Sequence, residues 1–152
     1  MPIKLGMVMD PIDRINIKKD TSFAMLLEAQ ARDWELHYME LGSLYLRNGK
    51  PYAKTRTLTV QRDDKDWFQF GTEQDIELSS LNVILMRKDP PFDQEFLYAT
   101  YVLELAEHAG VYVVNKPQSL RDANEKLFTA WFPQCCTETL VTRDAGRIKD
   151  FL

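Results

Sequence analysis

The sequence predicts an α/β fold: three layers around an open, mostly parallel sheet that carries an antiparallel hairpin insert. Short apolar runs alternate with helical periodicities, which is typical of βαβ units, and a hairpin signal at Asn48-Gly49 interrupts the alternation. The most informative run is Val83–Met86, which leads directly into Arg87-Lys88-Asp89. An apolar run of this kind is expected of a central strand covered on both faces.

Composition limits the classes of protein to which the chain can belong. Its 152 residues fit one domain, and 45% apolar and 28% charged residues are ordinary for a soluble globular protein. A net charge of −4 gives no basic field for nucleic acid or an acidic membrane. No apolar run approaches the roughly 20 residues that span a bilayer. Cys135 and Cys136 are adjacent and cannot staple distant segments, which favours a structural role and a reducing cytoplasm.

The first third of the chain predicts a βαβ unit. Lys4–Met9 and Leu36–Met39 are apolar runs of strand length. Between them, the side chain of Asp20 or Thr21 can accept hydrogen bonds from the first N–H groups of a helix. The apolar residues of that helix fall on one face: Phe23, Leu26, Leu27, Ala31 and Trp34. A strand, a helix and a strand in this order favour two parallel strands joined by a crossover helix.

An antiparallel insert is expected next. Leu44–Leu46 and Tyr52–Val60 flank Asn48-Gly49, a pair that tolerates the positive φ angles of tight hairpin turns. Trp67–Phe70 is a candidate for another short strand.

A helix with few polar residues is predicted after Val83–Met86. Asp93 can cap it at Gln94, and Gly110 can end it after about His108. Its polar residues form one narrow stripe: Thr100, Glu104, Glu107 and His108. A surface helix is rarely apolar over so much of its circumference. We therefore expect this helix to lie deep in the core or to be covered by another subunit or domain.

The end of the chain predicts three further short elements. Asp122 with Glu125 is a capping-box pattern that opens a helix to about Phe132. The residues of this helix that should point inward are Leu127, Ala130 and Trp131. Thr139–Thr142 predicts a last strand, and a helix is expected from Asp144.

Polar side chains follow three of the predicted strands. Asp10 follows the first strand, Arg87-Lys88-Asp89 follows Val83–Met86, and Asn115-Lys116 follows a short strand at Val111–Val114. Ligands of open α/β sheets bind at the carboxyl ends of the strands. Arginine offers a fork for a carboxylate and lysine a point charge. The pattern favours a site for an anionic or zwitterionic small molecule, and the alternative is an ordinary solvated loop.

Other kinds of site are not predicted. The six glycines lie far apart in sequence, so the chain has no glycine-rich phosphate loop. His37 and His108 have no cysteine or second histidine near them in sequence, which favours structural roles and no metal site. A G-x-S-x-G motif for a serine nucleophile is missing as well.

Five sequence blocks resemble the bacterial glutathione synthetases, a family of ATP-grasp ligases. In chain order the blocks are Met9-Asp10-Pro11-Ile12 and residues 17–26, 85–93, 115–122 and 124–132. The resemblance extends over nearly the whole chain and is looser between Ser43 and Asp75. It implies the Rossmann-like, pre-ATP-grasp version of the predicted sheet.

The resemblance also implies an activity. Family members join γ-glutamylcysteine to glycine and split ATP to ADP and phosphate, through an acyl phosphate that the glycine amine attacks. Magnesium bridges the nucleotide phosphates and spreads their charge. Homo-oligomers are expected of the family, which would account for the apolar helix at Gln94–His108.

Compared with the family, this chain is expected to be only the N-terminal part of a longer enzyme. Family enzymes continue past the position of Leu152 with the glycine-rich loop, a second nucleotide lysine and the magnesium carboxylates. We expect residues 1–122 to form the N-terminal substrate domain and residues 123–152 to begin the central, nucleotide-binding region. Catalysis by this polypeptide alone is therefore expected to be incomplete.

The resemblance assigns roles residue by residue. Lys126 matches the lysine that reaches the ATP phosphates. Arg87, Lys88 and Asp89 match a loop that contributes to the γ-glutamylcysteine pocket. Asp20 and Ser22 fall in a matching block and are further candidates for substrate contact, although helix capping explains Asp20 equally well.

Two other interpretations stay open at this point. The chain could be a stand-alone, noncatalytic α/β module that binds a small peptide or helps to assemble a complex. It could also belong to another ATP-grasp relative with a different carboxylate substrate. The helix expected from Asp144 has no clear stop signal before Leu152, which favours the fragment over the stand-alone module.

Overall fold

One mixed sheet organises the fold in the part of the chain that the structure, a computed structural model, describes: residues 1–123 and 126–152. The elements in chain order are β1 (Lys4–Val8), α1 (Thr21–Ala31), β2 (Glu35–Met39), β3 (Leu44–Arg47), β4 (Lys50–Val60), β5 (Phe68–Glu77), β6 (Val83–Met86), α2 (Gln94–His108), β7 (Tyr112–Val114), α3 (Pro117–Asp122) and α4 (Ala145–Phe151). Within these ranges no helix is long and apolar enough to cross a membrane.

Four parallel strands form the centre of the sheet in the order β2-β1-β6-β7. The strand after α1 lies on one side of β1, and the strand after α2 lies on the other side of β6. Because such crossovers are right-handed, the two helices cover opposite faces of the sheet. The predicted βαβ unit and the central position of Val83–Met86 are confirmed.

The antiparallel insert extends the sheet beyond β2. β3 and β4 form a hairpin whose turn residues Asn48 and Gly49 have φ angles of 51° and 76°, as the predicted turn requires. β4 pairs with β2 through His37 and Thr57 and with β5 along its other edge. β5 is longer than the predicted strand at Trp67–Phe70. The predicted three-layer α/β fold with an antiparallel insert is therefore confirmed.

Two apolar cores lie on the two faces of the sheet. α1 packs over β1 and β2 through Phe23 and Leu26, and α2 packs on the opposite face through Leu103 and Ala106. At the centre, Gly6 makes this packing possible. A Cβ atom there would lie 2.6 Å from the Met39 side chain and 2.7 Å from that of Leu81.

The polar stripe predicted on α2 has a different environment from the one expected. Thr100 is fully buried, and its hydroxyl accepts a hydrogen bond of 3.1 Å from Arg121 of α3. The same guanidinium forms a 2.8 Å ion pair with Glu104. The most exposed large apolar residues of α2 are Tyr98 and Tyr101, so the apolar side of this helix is divided between the core and the surface.

The predictions for the end of the chain were partly wrong. Asp122 ends α3 instead of opening a helix to Phe132, and the 3₁₀ segments Leu127–Trp131 and Pro133–Cys135 follow. Its partner in the capping-box pattern, Glu125, lies outside the described residues. Leu127, Ala130 and Trp131 are exposed instead of pointing inward, and no strand forms at Thr139–Thr142 among the described residues. The helix expected from Asp144 is confirmed as α4, where the Asp144 carboxylate accepts from the Arg147 N–H at 3.0 Å.

Candidate functional site

A polar pocket of about 580 Å³ lies where the strand order of the parallel sheet reverses, at the carboxyl ends of β1 and β6. Open α/β sheets bind ligands at this point because the loops after the two strands diverge toward opposite faces. The lining residues are Met9, Asp10, Pro11, Arg14, Ile15, Asn16, Lys19, Asp20, Thr21, Ser22, Arg87 and Asp89. Four of the predicted substrate residues are therefore brought together: Asp20, Ser22, Arg87 and Asp89.

The guanidinium of Arg87 is held by two hydroxyl groups from the first turn of α1. Nη2 donates to Thr21 Oγ1 at 2.6 Å, and Nε donates to Ser22 Oγ at 3.3 Å. Arginine has five N–H groups, so a pair on the two terminal nitrogens remains for a ligand. Within the described residues no carboxylate lies at ion-pair distance from Arg87. The side chain is positioned by these hydroxyl groups, and no carboxylate of residues 1–123 or 126–152 neutralises its charge.

Asp10 ties the loop after β6 to the end of β1. Its Oδ1 forms a 2.9 Å ion pair with Lys88 Nζ, and its Oδ2 accepts from the Asp89 N–H at 3.0 Å. Lys88 Nζ also donates to the Asp89 carbonyl oxygen at 2.6 Å. Lys88 thus holds the loop in shape and does not line the polar pocket.

The start of α1 also borders the pocket. Asp20 is the N-cap, and its Oδ1 accepts from the Phe23 N–H at 2.7 Å. The other carboxylate oxygen stays available to a ligand, so capping and ligand binding are compatible. The N-terminal end of a helix also carries a partial positive charge that favours anions.

The loop between β1 and α1 is anchored to the insert and to β2. The backbone of the buried Ile12 forms two hydrogen bonds with residues outside the loop: Trp67 Nε1 donates to its carbonyl oxygen at 2.9 Å, and its N–H donates to Tyr38 Oη at 3.2 Å. Burial and the hydrogen bond to Glu40 raise the pKa of Tyr38, so the phenol stays protonated. These contacts fix the loop that carries Asp10 and Asp20.

Two cations of the pocket were missed by the sequence reasoning. Arg14 and Lys19 lie in the loop between β1 and α1 and line the pocket together with Arg87. The pocket lining also contains three carboxylates. Lys88 neutralises that of Asp10, and the carboxylate of Asp20 accepts a hydrogen bond from the first turn of α1. The remaining charge favours an anionic or zwitterionic ligand. The sequence did contain a signal for Arg14 and Lys19: the whole loop follows the first parallel strand, and ligands bind at the carboxyl ends of such strands.

A second, smaller cavity of about 390 Å³ lies next to the polar pocket on the side of β7. Lys88 and Asn115 both line it, so two of the three predicted strand ends meet here. Lys116 points elsewhere, and its Nζ lies 3.8 Å from Glu107.

The remaining candidates lie away from these cavities. Lys126 is exposed and does not line the polar pocket, and it comes just before the 3₁₀ segment instead of lying in a helix. Cys135 and Cys136 are exposed free thiols. In residues 1–123 and 126–152, no three His, Cys, Asp or Glu side chains gather to hold a metal ion. We therefore assign no magnesium ligand to the described residues.

His37 has the structural role that the sequence predicted. It is 2% exposed, with Nε2 2.8 Å from Glu35 Oε1 and Nδ1 3.5 Å from Thr55 Oγ1. Burial lowers the pKa of His37 below its ordinary value, although the hydrogen bond to Glu35 acts in the opposite direction. His108, at the end of α2, is exposed.

Comparison with known proteins identifies the family. The family described as "Prokaryotic glutathione synthetase, N-terminal domain" matches residues 3–121. The chain belongs to this family. Curated glutathione synthetases are 68% identical in Yersinia pestis, 66% in Escherichia coli K12 and 65% in Photorhabdus laumondii, each over 149 residues. Each comparison covers 98% of this chain and 47% of the relative, so the chain spans about half the length of these glutathione synthetases.

The glutathione synthetase family match and the pocket coincide along the chain. Every residue that lines the polar pocket, from Met9 to Asp89, lies inside the matched range of 3–121. Lys126 lies beyond it. All residues of the candidate site thus lie in the part of the chain that matches the N-terminal domain of this family.

Proposed function

We propose that this chain supplies the γ-glutamylcysteine-binding part of an ATP-dependent carboxylate–amine ligase that makes glutathione. In the full reaction, γ-glutamylcysteine would be joined to glycine through an acyl phosphate while ATP is split to ADP and phosphate. Two observations support this: membership of the glutathione synthetase family and a polar pocket at the reversal of strand order. The positioned guanidinium of Arg87, with no carboxylate partner among the described residues, carries the proposal.

The chemistry of the pocket suits this substrate. γ-Glutamylcysteine carries two carboxylates and one ammonium group. The outer N–H pair of Arg87 would grip a carboxylate in a fork, and Arg14 and Lys19 would add positive charge. The open oxygens of Asp20 and Asp89 would accept from the ammonium group. Ser22 and Lys88 would act indirectly, by holding Arg87 and the loop after β6.

Nucleotide chemistry would depend on groups beyond this pocket. We propose Lys126 as a contact to the ATP phosphates, in line with the family resemblance, and magnesium as the ion that spreads the phosphate charge when it is bound. We further propose that residues 1–122 are the substrate domain and that residues 123–152 begin the central region. Support comes from residues 126–152, which are almost entirely exposed and add no strand to the sheet. Alone, this chain should be inactive.

We also propose that the protein acts in the cytoplasm as a homo-oligomer. The adjacent free cysteines and the family resemblance support the compartment. Exposed apolar side chains on the folded domain, including Tyr98, Tyr101 and Tyr112, support self-association.

Calorimetric titration of the chain with γ-glutamylcysteine tests the proposed pocket. Arg87→Met should weaken binding by about 10- to 100-fold, because a hydrogen-bonded ionic contact contributes roughly 1.5–3 kcal/mol. Arg87→Lys keeps the positive charge but loses the two-pronged hydrogen bonding of the guanidinium, so its affinity should lie between those of the unmodified chain and Arg87→Met. Arg62→Met is the matched control, since it removes one positive charge at an exposed position outside the pocket. Equal affinities for the Arg87→Met and Arg62→Met proteins would contradict the assignment.

An activity assay tests the proposal that the substrate pocket lies in this chain and that the nucleotide site is incomplete in it. The chain should release no ADP when it is given ATP, γ-glutamylcysteine and glycine. ADP release that requires both γ-glutamylcysteine and glycine would show that the nucleotide site is complete within these residues. Calorimetric titrations of the chain with ATP and with glutathione distinguish two interpretations. A substrate domain should bind glutathione, whereas a module that binds other peptides should not.

A further inference from the structure

The adjacent cysteines Cys135 and Cys136 lie outside the polar pocket, and the function proposed above does not use them. Both are free thiols, and both are exposed. They follow one another directly in the chain, and the peptide bond between them is trans. Two sulfur nucleophiles are therefore held side by side on the surface of the described chain.

Adjacent cysteines are poorly suited to a disulfide with each other. The Cα atoms of neighbouring residues lie about 3.8 Å apart across a trans peptide bond. In disulfides this distance is about 4.4–6.8 Å, and the two sulfurs approach to about 2.05 Å. A single atom bound to both sulfurs relaxes this requirement, because the sulfurs then stay apart and each forms its own bond. The pair is thus better suited to chelation than to oxidation.

Contacts of the surrounding chain hold the pair in one local conformation. Cys135 ends the 3₁₀ segment Pro133–Cys135. Cys136 follows with an extended backbone, and its N–H donates to the Pro133 carbonyl oxygen at 3.3 Å. Its Sγ donates to the Thr129 carbonyl oxygen at 3.6 Å. A pair that is already positioned loses less conformational freedom when it binds a ligand.

A cavity of about 530 Å³ lies beside the sulfur of Cys136, which belongs to its lining. The apolar residues of the lining are Leu127, Ala130, Pro133 and Val141. An organic group on a ligand of the sulfurs would remove apolar surface from water by lying in this cavity. The surroundings therefore favour a ligand that combines a sulfur-binding atom with an apolar substituent.

The side chains near the pair do not suit an ordinary divalent cation. Structural zinc takes four protein ligands, and calcium and magnesium take oxygen ligands. In the two described stretches of the chain, no group of three His, Cys, Asp or Glu side chains could hold a metal ion. The ligand must therefore be thiophilic and satisfied by two protein sulfurs.

We propose that Cys135 and Cys136 together bind trivalent organic arsenicals, with arsenic bridging the two sulfurs and the organic group in the cavity beside Cys136. Trivalent arsenic is thiophilic and forms three single bonds, which match two sulfurs and one carbon. With phenylarsine oxide, two As–S bonds form and the bonds from arsenic to oxygen break. The two thiol protons leave with that oxygen as water, and arsenic stays trivalent. This site goes beyond the proposed ligase function and does not depend on it.

Titration of the 152-residue chain with phenylarsine oxide tests the proposal. One equivalent should remove both free thiols, counted by their reaction with N-ethylmaleimide, and should add one phenylarsenic group to the mass of the intact chain. Excess glutathione, a monothiol, should not displace it, whereas dithiothreitol should. These results are expected because the second As–S bond forms within one molecule, at a high effective concentration.

Single-cysteine variants test whether both sulfurs are needed. Cys135→Ser and Cys136→Ser should each bind phenylarsine oxide at least about 100-fold more weakly, because either variant leaves one As–S bond to the chain. Cys136→Ser combined with Ser79→Cys is the matched control, since it keeps two exposed thiols but places one of them after β5. This control should bind as weakly as Cys136→Ser, and far-ultraviolet circular dichroism checks that all variants keep the fold.

Val141→Asp tests where the organic group lies. Val141 lines the cavity and is exposed, so a carboxylate there should leave the fold intact. Binding of phenylarsine oxide should weaken several-fold, because the phenyl group would contact a charge. Inorganic arsenite has no organic group, and its binding should not change. Leu140→Asp is the matched control, at an exposed neighbour outside the lining.

Equally tight binding of phenylarsine oxide by the unmodified chain and by either single-cysteine variant would overturn the chelate. Tight binding by the control with Ser79→Cys would overturn it too, because adjacency would then not be needed. Loss of both thiols before any arsenical is added, with a mass lower by two hydrogens, would overturn it in favour of a disulfide. Equal effects of Val141→Asp and Leu140→Asp would overturn the position of the organic group in the cavity.

Discussion

Removing the carboxylate of Asp10 should loosen the loop that presents Arg87. Asp10→Ala deletes the acceptor for the Asp89 N–H at 3.0 Å and the ion pair with Lys88 at 2.9 Å. A hydrogen bond to a charged group contributes roughly 1.5–3 kcal/mol. The ion-pair side chains are 20% and 35% exposed, so the pair should add up to about 1 kcal/mol, the upper end for surface pairs.

The free energy of unfolding of Asp10→Ala should therefore fall by about 2–3 kcal/mol. Asp10→Asn keeps an oxygen for the Asp89 N–H and loses only the charge, so its loss should be about 1 kcal/mol. Urea unfolding followed by far-ultraviolet circular dichroism measures both values, and an unchanged dependence on urea confirms that only stability changed.

Asp13→Ala is the matched control, since Asp13 is an exposed aspartate in the same loop that lies outside the lining of the pocket. A double-mutant cycle with Lys88→Met should isolate a coupling of about 0.5–1 kcal/mol between Asp10 and Lys88. Equal losses for Asp10→Ala and Asp10→Asn, or a loss for Asp10→Ala no larger than that of the control, would refute this account of the loop.

Two further predictions concern Asp20 and His37. Asp20→Ala should lower the free energy of unfolding by about 1 kcal/mol, whereas Asp20→Asn should keep the helix cap and lose only affinity for γ-glutamylcysteine. Urea unfolding measures the stability and calorimetry measures the affinity, and an unchanged affinity in Asp20→Asn would show that Asp20 does not contact the ligand. Burial lowers the pKa of His37 from its ordinary value of 6.5, so below about pH 6.5 the unfolded chain binds a proton that the folded chain does not. The contribution of His37 to stability is therefore full above that pH and is lost as the pH falls toward the lower pKa of the folded state. Urea unfolding across this window should show a slope that His37→Gln reduces, and an identical slope in the variant would contradict the prediction.

Elements that depend on neighbouring residues were predictable from the sequence. Asp20, Asp93 and Asp144 each cap the helix that follows them, because an N-cap needs only a short polar side chain next to the first free N–H groups. The turn at Asn48-Gly49 was predictable for a similar reason, since positive φ angles depend on the residue itself. The pattern failed after Asp122, where a local capping signal did not decide whether a helix formed.

The candidate site was predictable only in part. The rule that ligands bind at strand ends pointed to Asp10 and Arg87, and the family resemblance added Asp20 and Ser22. Lys88 was assigned to the ligand, but its ammonium group is engaged by Asp10, a residue 78 positions earlier in the chain. No local pattern reports a contact at that separation.

The sequence by itself determined the alternation of strands and helices, the helix caps and the hairpin turn, because each of these depends on side chains only a few positions apart. Only the tertiary structure decided which polar residues share a pocket, that Thr100 is buried against Arg121, and that Tyr112 of β7 remains exposed. These features depend on strand order and on the face to which each crossover helix is directed, and both are settled by packing between segments far apart in the chain.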